Sequence, residues 1–253
     1  MKYFFIIIIL LLNHNLLALE VGETEITTDE GIEIFQEQKF YLLKKNVKII
    51  SSNFKLSADK VKAYFDKDLY DIIKIQSNGN VELTSNKGIK AKGIDIYFSI
   101  KDEIIIIKGK NSSLKNLDIN MYSDKMIKIN NLNGSFKLRG VNSLLINNDL
   151  KITGGLIDGK FINIEGANEV TKLYVEDENL ANIKTKNINM YGKKADYNKE
   201  KDLIELFDDV KIIRENETVT GDYAEINILK ESYKVKSDKS LNKVKILLKE
   251  KNE

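Results

Sequence analysis

Apolar and polar residues alternate in this chain in short runs, and the runs recur at similar spacing almost from end to end. Alternation with period two puts the apolar set on one face of a β-sheet and the polar set on the other. The clearest unit is Val219–Ser237. Gly221-Asp222 reads as a small-residue turn. A strand follows, with Ala224, Ile226 and Ile228 set against Glu225 and Asn227. Lys230-Glu231 is a charged turn, and Tyr233 and Val235 then alternate with Lys234 and Lys236. Val210 to Arg214 supplies the strand before it.

Two earlier stretches repeat this order. Val47 and Ile49 precede Leu56-Ser57-Ala58-Asp59, and Val61, Ala63 and Phe65 follow before the charged turn Asp66-Lys67-Asp68 and Ile75. Val81 and Leu83 precede Ala91-Lys92-Gly93, then come Ile94, Ile96 and Phe98, the turn Lys101-Asp102-Glu103, and the apolar run Ile104–Ile107. From valine to small residue the step is 11 positions in the first unit (Val47 to Ala58), 10 in the second (Val81 to Ala91) and 11 in the last (Val210 to Gly221). Such recurrence is the signature of a stacked repeat. Short strands of about 5–6 residues joined by turns predict an all-β, antiparallel meander.

Composition agrees with this reading and excludes several functions. Proline is absent from all 253 residues, where average usage gives roughly a dozen. Proline is pushed out of sheet interiors, so its absence suits near-continuous ladder. Lys plus Arg is 40 and Asp plus Glu 38, which lacks the basic excess of a nucleic-acid binder. There is no cysteine, hence no disulfide or thiol chemistry. The single histidine, His14, lies in Met1–Leu19, which reads as a signal peptide or an uncleaved anchor: Lys2, the apolar Phe4–Leu12, then Ala18 before Glu20. Its removal leaves no histidine for general-base or metal chemistry. Glu176-Asp177-Glu178 and Asp208-Asp209 read as turns. No catalytic residue, metal or cofactor is assigned.

The stretches Lys55–Leu83, Ile89–Gly109 and Val219–Ser240, with Lys243–Leu248 after the last, resemble the repeating unit of the OstA-like family, whose members include the lipopolysaccharide-transport protein LptA. The resemblance is fainter through Asn111–Asn182. It implies an OstA-like β-jellyroll over residues 20–240, shaped as an open, V-shaped trough. Residues 241–253 are expected to be a terminal strand or short helix and a charged tail. It also implies a periplasmic location, an apolar groove for lipopolysaccharide acyl chains, and edge-strand pairing with LptC-like and LptD-like proteins or head-to-tail with further copies.

The expected lipid-facing residues are Val47, Ile49, Val61, Phe65, Ile75, Val81, Leu83, Ile94, Ile96, Phe98, Ile105, Ile107, Val210, Ile212, Ala224, Ile226 and Ile228. Read from alternation alone, they are better taken as the core of a dry sandwich. The resemblance favours the groove. A membrane-anchored LptC-like component, a β-solenoid acting on polysaccharide, and a structural filament remain as alternatives.

Overall fold

A computed structural model describes residues 24–69, 71–86, 88–237 and 243–249. The expected signal segment lies outside them. The described chain is a single 18-stranded antiparallel sheet, with one 3-10 turn at Lys199–Lys201. Its strands are β1 (Thr24–Thr27), β2 (Gly31–Phe35), β3 (Phe40–Ser51), β4 (Phe54–Phe65), β5 (Ile72–Ser85) and β6 (Lys90–Ser99). The short central strands are β7 (Ile104–Lys108), β8 (Ser112–Lys115), β9 (Ile119–Ser123) and β10 (Met126–Asn130). Then follow β11 (Ser135–Asn147), β12 (Leu150–Ile164), β13 (Ala167–Lys184), β14 (Asn189–Asn198), β15 (Leu203–Arg214), β16 (Glu217–Asn227), β17 (Ser232–Lys236) and β18 (Lys245–Leu248).

Most strands are twice the expected length, and each long one is bent near its middle. The ladder loses register between Lys44 and Val47, Asn78 and Val81, Arg139 and Ser143, Glu176 and Ala181, and Phe207 and Val210. These breaks align from strand to strand into a crease. The shorter strands fall in pairs across the same line, β1 with β2, β7 with β8 and β9 with β10. The small-residue steps are therefore corrected. Ala58-Asp59, Gly93 and Gly221-Asp222 do not reverse the chain; they lie inside β4, β6 and β16. Glu176-Asp177-Glu178 and Asp208-Asp209 likewise lie in β13 and β15 rather than in turns. Asp208 and Asp209 have positive φ, as do Asn80 and Gly79 in β5. Asp, Asn and Gly tolerate that conformation best, so they supply the bend.

The crease divides the sheet into two hydrogen-bonded arms that fold face to face. In the first arm, one inward row runs Ile26, Ile49, Leu56, Leu83, Ala91, Leu114 and Met121, then Leu145, Ile152, Ile183, Met190, Ile212, Val219 and Ile246, each opposite the next. In the second arm, the row runs Ile32, Leu43, Val61, Ser77, Ile96, Ile107 and Ile127, then Leu138, Ile157, Val175, Ala195, Leu206, Ala224 and Val235. Apolar cross-strand neighbours on one face are the unit of sheet stabilisation, and here the unit repeats along both rows with one polar member, Ser77 in the second arm. Outer faces carry cross-strand ion pairs such as Lys194–Glu176 and Lys44–Glu33.

The last described strand is β18, which pairs with β16.

Candidate functional site

The space between the two rows is the candidate site. Fourteen of the expected lipid-facing residues lie in it: Val47, Ile49, Val61, Phe65, Ile75, Val81, Leu83, Ile96, Ile105, Ile107, Val210, Ile212, Ala224 and Ile226 are all buried. Phe98 and Ile228 are partly buried and pack against that core. Ile94 does not join them. It sits on the crease beside Gly93 and is 51% exposed. A Cβ on Gly109 would stand 2.7 Å from the Ile94 Cβ, so Ile94 covers the outside of the bend. Alternation continues through Ile94 in sequence, but the bend breaks it in space.

The sequence marks fewer than half of the buried core residues in advance. Leu114, Ile119, Met121, Ile127, Ile129, Phe136, Leu138, Leu145, Ile152 and Ile157 are all buried in the same core. They come from the stretch where the repeat is faint. Their signal was present as short alternating runs (Ile127 and Ile129, Phe136 and Leu138), diluted by buried serines at Ser112, Ser123 and Ser143. Those serines serve the crease: Ser123 Oγ donates to the Arg139 carbonyl, Ser143 Oγ donates to the Gly140 carbonyl, and Ser112 Oγ donates to the Gly109 carbonyl.

Opposite the crease, the strand-connecting turns of the two arms face each other and form a mouth. Two cavities open there. The first, of about 570 Å³, reaches inward to Ile105, Leu114, Met121 and Ile129. Its rim includes Leu117, Leu132 and Ile162, all exposed. The second, of about 340 Å³, is lined by Leu150, Val170, Ile188, Met190, Ile226 and Ile228, with Tyr197 among them. Burial raises the Tyr197 pKa, and the nearby Glu169 and Asp202 raise it further.

Polar ties cross the mouth beside the second cavity. On one side, Asn147 Nδ2 donates to the carbonyls of Asp118 and Asn168, each at 3.1 Å. Asn147 Oδ1 accepts from the Val170 amide at 3.2 Å, and the Asp118 carboxylate accepts from the Asn168 amide at 3.0 Å. On the other side, Arg214 donates to the Glu231 carbonyl at 3.1 Å and to its carboxylate at 2.9 Å. Tyr233 of the second arm meets Glu217 of the first. Its pKa is pushed up to about 12, by burial first and then by that hydrogen bond, with Arg214 opposing.

Two basic residues of the early strands have partners on the outer face. Lys44 pairs with Glu33 at 2.7 Å, and Lys62 Nζ stands 3.8 Å above the Phe40 ring. Among the described residues, no group of three or more His, Asp or Glu could hold a metal, and no helix is long and apolar enough to cross a membrane.

Residues 118–232 match the family described as LptA/(LptD N-terminal domain) LPS transport protein. The match runs from the approach to β9 into β17, and it takes in most of the stretch where the repeat is faint. No curated protein matches the chain. Among solved structures, one that matches is LptH, the LptA homologous periplasmic component of the lipopolysaccharide transport device from Pseudomonas aeruginosa. It is 14% identical, over 52% of this chain and 95% of that one, with a TM-score of 0.43.

Proposed function

We propose that this chain is a periplasmic, non-enzymatic lipopolysaccharide-transport protein that carries acyl chains between its two arms and leaves the sugars in water. The observation that carries this reading is the pair of facing rows, apolar but for Ser77, that run from the first described strand to the last and are reached through the mouth. The family match over residues 118–232 supports the choice of lipid. Each methylene moved from water into such an interior gains about 0.8 kcal/mol. Between the ends the row residues shield one another, so a chain entering through the mouth does so as the arms part. The crease holds the arms by continuous backbone, whereas side-chain ties hold the mouth beside the second cavity, which makes the mouth the side that yields.

The ends suit pairing with LptC-like and LptD-like proteins, or with another copy. Strands β1 and β18 end the first arm, and β2 and β17 the second. Ile32 and Ile34 on β2, and Ile246, Leu247 and Leu248 on β18, are exposed. An apolar edge without proline invites strand addition. Export to the periplasm rests on the apolar segment Met1–Leu19.

A filled structural filament is the second reading, favoured by the complete burial of Val61, Ile107 and Ile226. Photocrosslinking in cells separates the two. Crosslinkers at Ile105, Phe98 and Ile226 should capture lipopolysaccharide, while one at the exposed Leu229 should not. Capture from none of the three inward positions refutes the conduit and leaves the filament.

A further inference from the structure

Strand β13 outruns its neighbour. Its pairing with β12 extends to Ala167, but its pairing with β14 stops at Lys172, opposite Asn198. Asn168 and Val170 therefore present peptide groups on an edge that β14 does not cover. That edge belongs to the second arm, at the mouth. The side chain that meets it comes from the first arm: Asn147, the inward residue at the mouth end of β11, only 5% exposed.

The geometry points to Asn147 as a latch. Its carboxamide replaces one peptide group of an absent strand, accepting from the Val170 amide and donating to the Asn168 carbonyl, as a neighbouring strand would. Its second N–H goes to the Asp118 carbonyl, and the Asp118 carboxylate takes the Asn168 amide. The two residues thus tie the arms together where the two cavities approach each other, since Asn168 lines the first and Asn147 the second. A hydrocarbon chain passing along the mouth from one cavity to the other meets this tie. A buried amide is held in place by its bonds, because leaving it unpaired is costly. The same amide has a ready alternative in water once the mouth opens. Asn147 and Asp118 are positioning residues: they set how often the mouth opens without forming the apolar wall.

This inference rests on the conduit reading, and one experiment tests both. Purified full chain is mixed with pyrene-labelled hexadecanoic acid, and uptake is followed for the wild type, Asn147→Leu and Asp118→Ala. Asn147→Leu keeps the volume and removes the amide. Asp118→Ala removes only the carboxylate of a partly exposed turn residue, which keeps the test open if the first variant folds poorly. Amide hydrogen exchange at Asn168 and Val170 is measured alongside, with Ile183 as reference. The expected result is uptake at least tenfold faster in both variants, with the same saturation and faster exchange at Asn168 and Val170 only. Unchanged uptake rates despite faster exchange overturn the latch and leave the conduit standing. No uptake by any form overturns the conduit itself, and the latch with it.

Discussion

Replacing Ser77 with alanine should stabilise the protein. Ser77 occupies an inward position of β5 in the second-arm row, between Val61 and Ile96. It is 1% exposed, and its Oγ has no hydrogen-bond partner among the described residues. A buried hydroxyl without a partner costs roughly 1–3 kcal/mol relative to water. Alanine removes that cost and gives up only the dispersion contacts of one oxygen, each about 0.1–0.2 kcal/mol. The net gain is on the order of 1 kcal/mol, or about 2–4 °C in Tm for a chain of this size. Urea titration measures it as a higher midpoint at unchanged slope. A loss of about 1 kcal/mol or more refutes the reasoning, because it means Ser77 Oγ is bonded in solution. Ser77 would then be a bonded polar station in the row rather than an unpartnered hydroxyl.

Gly134 tests the mouth. It has φ +68°, and an added Cβ would stand 2.1 Å from the Phe161 carbonyl oxygen, whereas Gly88, at φ +81°, has open space around it. Gly88→Ala should cost only the conformational term of about 1–2 kcal/mol, and Gly134→Ala clearly more in urea titration; equal losses would show that Phe161 yields freely. Tyr233 gives a pH dependence. With its folded pKa raised to about 12 against about 10 in the unfolded chain, its contribution is complete below pH 10 and is lost as pH rises towards 12. Glu217→Gln should lower the pH at which this phenol ionises, read as the wild-type minus Tyr233→Phe absorbance difference; an unchanged midpoint would remove Glu217 as a cause.

Much of the wall was legible because alternation is local. Ile49, Val61, Ile96 and Ile226 follow from their immediate neighbours. The crease was not, because the residues that bend a strand are the residues that turn a chain. Gly221-Asp222 and Asp208-Asp209 carry the same local signal in either role, and only pairing on both sides tells them apart. Ile94 shows the cost: alternation counted through a bend assigns the wrong face. The mouth was legible least. Asn147 meets Asn168 across 21 positions and Asp118 across 29, and nothing near Asn147 in sequence marks it as different from the many other asparagines.

The paired rows also make the interior a ruler. Each strand advances it by about 4.8 Å, so the two rows together trace a path on the order of 60 Å from Ile26 and Ile32 to Val235 and Ile246. Length here is counted in strands, not set by volume. One added hairpin of this kind lengthens the path by roughly 10 Å and leaves every existing neighbour in place. A protein built this way can be cut to span a given gap, and a shortfall can be made up by a second molecule continuing the same rows.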